Sequence, residues 1–167
     1  MKLRSPAPPR PTFPMLVGGA LTLAAALLTR LTVGSPLAVV HKLEAFLILP
    51  PLWVLSLVWL IHFVLLGSAA GYLLACPTHN PVREAAMWRG CTFMVLAAVF
   101  SLVWYTLLFG KLCLLPSWIC LLLSAGMAGI CSVSWRTVGK GAFAAALAFA
   151  LWQIGLFFLQ FAVILHT

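Results

Sequence analysis

Negative charge is almost missing from this chain. Two carboxylates, Glu44 and Glu84, occur in 167 residues, and charged residues of both signs make up only 7%. An average soluble domain has about a quarter of its residues charged, so composition alone excludes a water-soluble globule. Both carboxylates fall at the ends of apolar runs. Ion-coupled transport ordinarily needs a carboxylate at mid-membrane depth, and hydrolysis needs a base beside a nucleophile; the sequence supplies neither. The five cysteines, Cys76, Cys91, Cys113, Cys120 and Cys131, form no CxxC pair and no Cys/His metal spacing. They read as small apolar packing residues, with no metal site and no disulfide frame. No internal repeat is visible, which weighs against an inverted-repeat transporter.

Apolar residues dominate, at 64% of the chain, so lipid must be the solvent for most of it. A span needs about 20 residues, which leaves room for four to six helices in one bundle and none for a second domain. Residues 1–12 hold Lys2, Arg4, Arg10 and four prolines and read as a disordered basic arm. Residues 13–167 read as a single all-α transmembrane domain, an integral membrane five-helix bundle with spans at about 13–33, 52–74, 85–109, 114–134 and 142–165. The first run has a signal-peptide alternative, since a basic start precedes an apolar core and small residues at Gly34-Ser35. Its length and the spans that follow favour a retained helix. Pro50-Pro51 suits the first turn of the second span, where the missing N–H groups are not needed. The net charge of +8 is scattered at segment ends, which fits membrane orientation better than nucleic acid. With five spans, Lys2, Arg4, Arg10, Arg83, Arg89, Arg136 and Lys140 fall on the N-terminal side, against Arg30, Lys42 and Lys111 on the other. The bias places the N-terminus in the cytoplasm, and the basic arm with a retained helix suits a bacterial inner membrane.

Small residues recur at helical spacing. Gly67-Ser68-Ala69-Ala70-Gly71 is a GxxxG pattern, Ala125 and Gly129 repeat it on the fourth span, and Ala142, Ala146 and Ala150 make a ridge on the fifth. Such faces let helices approach closely in lipid, either within one copy or in a homodimer. The aromatic residues are placed less usually. Trp53, Trp59 and Phe63 are spread through the second span, whereas interfacial anchors sit at span ends. His62 follows Trp59 by three residues and shares its face; a neutral histidine bonded inside the bundle is the commoner outcome, ligand contact the sharper one. Phe149, Gln153, Leu156 and Gln160 line one face of the fifth span with Trp152 beside them, and Phe100, Ser101 and Trp104 group on the third. The glutamines either join helices or line a pocket. Aromatic faces with few charges suit a flat hydrophobic ligand held by stacking and apolar burial.

These residues resemble the tryptophan-rich sensory protein/translocator protein (TspO/MBR) family. Its second-helix signature, Pro-Pro-x-Trp-Val followed by a tryptophan and an aromatic, is matched by Pro50, Pro51, Trp53, Val54, Trp59 and Phe63, with Phe63 where the family has tyrosine. Its third-helix signature is matched by Trp104, Phe109 and Gly110, and Trp118 follows. In the fifth helix Ala148, Phe149, Trp152 and Gln160 stand for the family's Pro-Tyr-x-x-Trp and its later Asn; Ala97 and Ser101 replace a Gln and an Asn of the third. The resemblance implies a TspO-like five-helix bundle, often dimeric, that binds porphyrins or sterol-like molecules.

The expected function is therefore a non-enzymatic membrane sensor or carrier for a flat hydrophobic ligand, a porphyrin or tetrapyrrole or a sterol-like molecule, with no cofactor required. The expected ligand-binding residues are Trp53, Trp59, His62, Phe63, Phe100, Ser101, Trp104, Trp118, Phe149, Trp152 and Gln160, with no catalytic or metal-ligating residue. The expected partners are the lipid bilayer, the ligand, and a second copy through Gly67, Gly71, Ala125, Gly129, Ala142 and Ala146. A structural or assembly protein without a ligand, or a small transporter, are the alternatives. Porphyrin breakdown, known from some family members, has no support of its own in these residues.

Overall fold

Five apolar stretches become five helices, because in lipid a backbone must satisfy its own hydrogen bonds within each span. A computed structural model describes residues 12–33, 52–76 and 80–166. The helices are α1, Thr12–Val33; α2, Leu52–Ala75; α3, Pro81–Tyr105; α4, Leu114–Trp135; and α5, Lys140–His166. Each is long and apolar enough to cross a membrane. The basic arm, Pro50-Pro51, Glu44 and Lys42 lie outside the described residues.

Boundaries follow the sequence reading closely, with one instructive departure at α3. Asn80 caps this helix by accepting the Val82 N–H at 2.9 Å, and Pro81 takes the first position. The helix therefore starts four residues before the apolar run and carries Arg83 and Glu84 in its first turns. Polarity ends an apolar run; it does not end a helix. At the other end α3 continues as a π-helical turn, Thr106–Gly110, which adds a residue to the turn and re-aims the side chains beyond it. Leu112, at φ 54°, then reverses the chain toward α4.

The helices form a ring in the order α1, α2, α5, α4, α3. Three seams are extensive, α1 with α2, α3 with α4, and α4 with α5, while α2 meets α5 along a shorter line and α1 returns to α3 at few points. Neighbours are antiparallel except α1 and α3, which run in the same direction. The end holding Thr12, Ala75, Pro81, Trp135 and Lys140 is called proximal here, and the other distal. Outward faces carry Leu16, Leu28, Val95, Leu122, Leu151 and Phe158, all exposed, as a surface solvated by lipid requires.

The α1–α2 seam is a ladder. Pro14 meets Gly71, Gly18 meets Gly67, and Thr22 donates to the Phe63 carbonyl at 2.7 Å. Each rung advances four residues on one helix and retreats four on the other, so the contact runs without drift. Gly67 and Gly71 thus serve α1 of the same copy. Ala125, Ala142 and Ala146 are likewise buried inside the bundle, and Gly129 is half-buried. This corrects the expectation that these faces join two copies: the neighbouring helices have already used most of the small-residue surface. Thr22 Oγ also reaches the Gly18 and Gly19 carbonyls of its own helix. Thr22→Val is accordingly expected to cost only about 0.6 kcal/mol, the average for an interhelical bond in a membrane, read from unfolding in detergent.

Candidate functional site

Large side chains, in contrast, hold α2 and α3 apart on the inside. Trp59, Phe63, Trp104, Tyr105 and Phe149 all belong to one buried core cluster. Trp59 stacks on Tyr105 at 4.9 Å between ring centroids, and Phe63 meets Phe149 edge-on at 5.7 Å. His62 stacks on Trp152 at 5.5 Å, with its Nδ1 2.7 Å from the Val58 carbonyl. A carbonyl only accepts, so in this bond Nδ1 donates its proton to that of Val58, four residues before it.

Polar groups thread these rings. Ser101 Oγ receives Trp59 Nε1–H at 3.0 Å and Gln153 Nε2–H at 2.7 Å, tying α2, α3 and α5 at one point. One turn further toward the distal end, Gln160 Oε1 accepts from Trp104 Nε1 at 2.8 Å. Its Nε2 donates to the Leu114 carbonyl at 2.8 Å and to Ser117 Oγ at 2.6 Å. That amide joins α3, α4 and α5. Trp118 closes the same region: its N–H donates to the Phe157 carbonyl at 3.3 Å, and its ring stacks on Phe157 and Phe161.

Three buried polar atoms of this region have no partner among the described residues: Tyr105 Oη, Trp152 Nε1 and Gln153 Oε1. Tyr105 and Gln153 flank one indole, since Tyr105 stacks on Trp59 and Gln153 shares Ser101 with it, while Trp152 stacks on His62, on the same helix as Trp59. Turning the Gln153 amide over would satisfy the carbonyl from the serine hydroxyl and leave the NH₂ unpaired instead, so one amide group stays open either way. Buried polar groups are nearly always bonded. Polar atoms left open among aromatic rings are able to receive polar atoms of a mostly apolar guest, or water.

Of the residues read from sequence, Trp59, His62, Phe63, Ser101, Trp104, Phe149, Trp152 and Gln160 come together here, with Trp118 on its distal flank. Phe100 is half-buried and joins no ring pair among the described residues. Trp53 is 67% exposed in the first turn of α2 and turned away from the cluster. It lies six residues before Trp59, which on a helix is a rotation of about 120°. Tyr105 was missed, though it follows Ser101 by four residues and so extends the same face. Trp135, at the proximal end, is fully buried and donates to the Met87 carbonyl at 3.3 Å; its indole is a packing element against Gly90, where a Cβ would meet the ring. Among the described residues no group of three His, Cys, Asp or Glu side chains is placed to hold a metal ion. No protein-family model, curated protein or solved structure matches the chain.

Proposed function

We propose that this five-helix membrane protein is a non-enzymatic receptor or carrier for a flat hydrophobic ligand, tetrapyrrole or sterol-like, of the kind its resemblance to the TspO/MBR family implies. The observation that supports this reading is that Tyr105 Oη, Trp152 Nε1 and Gln153 Oε1, on residues packed among the rings of α2 and α3, have no partner among the described residues. A planar guest replaces ring–ring stacking by ring–ligand stacking, which conserves apolar contact, and its oxygen or nitrogen atoms take up the open phenol, indole and amide. No carboxylate lies inside the described spans beyond Glu84 in the first turn of α3, which weighs against ion coupling. The described basic residues Arg83, Arg89, Arg136 and Lys140 gather at the proximal end, against Arg30 and Lys111 at the distal end. By the positive-inside rule this supports a cytoplasmic proximal end and N-terminus, and a bacterial inner membrane is the setting we favour.

The test is quenching of tryptophan fluorescence by protoporphyrin in detergent. Quenching is expected to saturate at micromolar ligand and to need higher ligand in Trp104→Leu and Tyr105→Phe. Trp53→Leu should remove one fluorophore and leave the half-saturation point where it was, since that ring faces outward. Linear quenching that ignores all three changes would reject the site.

A structural or assembly role is the second reading, favoured by the fact that Trp59 and Trp104 already bond to groups of the bundle itself. A stoichiometric membrane partner that co-purifies, together with no saturable ligand, would decide for it.

A further inference from the structure

The weakest seam of the ring, between α1 and α3, is open over its proximal half among the described residues. Pro14, Val17 and Leu21 of α1, Ala70 and Leu74 of α2, and Met94 of α3 wall a groove of ≈ 480 Å³ there. The volume lies within the range of about 300–1,000 Å³ that small-molecule sites occupy. Its polar group, the Thr22 hydroxyl, already gives its one proton to backbone carbonyls, with that of Phe63 nearest at 2.7 Å, so the walls favour hydrocarbon.

The proximal end of this groove is basic. Arg83 stands eleven residues before Met94 on α3, hence on the same side of the helix. At 1.5 Å per residue it lies about 16 Å nearer the proximal end. One leaflet with its headgroups is about 20 Å deep, so Arg83 stands at headgroup depth when Met94 is among the acyl chains. The α4–α5 turn brings Arg136 and Lys140 to the same end, with Gly139 against Leu73 of α2. Arg83, Arg136 and Lys140 are all exposed, and Glu84 is the one carboxylate there among the described residues.

We propose that the groove holds an acyl chain of an anionic phospholipid from the proximal leaflet, with its phosphate set by Arg83. Charge complementarity selects the headgroup and the apolar walls select the chain. A guanidinium is well matched to phosphate because it donates two parallel N–H bonds. The site is separate from the aromatic core, and it stands whether or not the core takes a ligand.

The test is native mass spectrometry of the full chain in detergent, titrated with dioleoylphosphatidylglycerol or with dioleoylphosphatidylcholine, which share their acyl chains. The wild type is expected to retain one phosphatidylglycerol and to prefer it to phosphatidylcholine by about fivefold or more, as one basic residue near a membrane surface provides. Arg83→Gln should lose most of that preference. Val17→Phe, which enlarges a partly exposed groove wall, should lower retention of both lipids. Both sites are accessible, and thermal unfolding checks that each variant folds. Equal retention of the two lipids overturns the proposal, as does the failure of either variant to change it. A dimer that Val17→Phe splits also overturns it, by placing a second copy in the groove.

Discussion

Replacing Gly71 with valine is expected to detach α1 from α2 and to cost about 3 kcal/mol, the upper part of the overpacking range. A Cβ at Gly71 meets the Pro14 carbonyl oxygen and lies 2.7 Å from its carbon and 3.1 Å from Met15 Cα. These are backbone atoms, and no rotamer change moves them. The same ladder leaves Gly18 and Gly67 without room, each facing the other's backbone. The helices must therefore separate, and the Thr22–Phe63 bond goes with the contact. Unfolding in mixed micelles, followed by tryptophan emission, measures the loss, and α1 should become accessible to protease first. Gly126→Ala is the control, because nothing lies within 4 Å of its added Cβ. That change should be neutral or stabilising by up to about 1 kcal/mol through helix propensity. Equal effects at the two glycines would remove the ladder as the reason for the α1–α2 contact.

Gln160→Leu is expected to cost about 1.5 kcal/mol, although leucine is the more apolar residue. Trp104 Nε1–H loses its acceptor inside the bundle, and the amide that joined three helices disappears. An orphaned buried donor costs about 1–3 kcal/mol, while interhelical bonds in membranes reach at most about 1.7 kcal/mol; the expected value lies where these overlap. Ser117 limits the damage, since it still donates to the Leu114 carbonyl at 2.9 Å. A double-mutant cycle with Trp104→Phe separates the bond from the packing. The pair of changes together should cost clearly less than the sum of the two, because the second removes the donor that the first orphans. Strict additivity would show that Gln160 and Trp104 act independently.

The spans were legible because bilayer thickness and backbone satisfaction leave a chain of this composition little choice. The start of α3 was also there to be read, in Asn80 followed by Pro81, but the polar pair Arg83-Glu84 hid it behind the hydropathy edge. Gly67 and Gly71 announced a close helix contact without naming the partner, since spacing on one helix carries no address for the other. The matching Gly18 on α1, at the same four-residue step from Pro14 and Thr22, was the signal that went unused. In the candidate site, Trp59, Ser101 and Gln160 could be read because polar atoms in lipid must face inward. Trp53 was grouped with them by its neighbours in sequence, although its rotation around α2 sends it outward. The π turn after Tyr105 leaves no simple trace in composition, whereas Tyr105 itself was there to be read, four residues after Ser101 on the same face.

The ladder between α1 and α2 also bears on how the molecule is made. Its first two helices complete an extensive set of mutual contacts using only residues that leave the ribosome early, and α3 to α5 form a second such set. Since domains and subdomains assemble as they emerge, the polypeptide can enter the bilayer as a finished hairpin followed by a finished three-helix unit. The last act of biogenesis is then the joining of the two along α2 and α5, where Phe63 meets Phe149 and His62 meets Trp152. Two separately translated fragments, cut between Ala75 and Asn80, should find each other in the membrane.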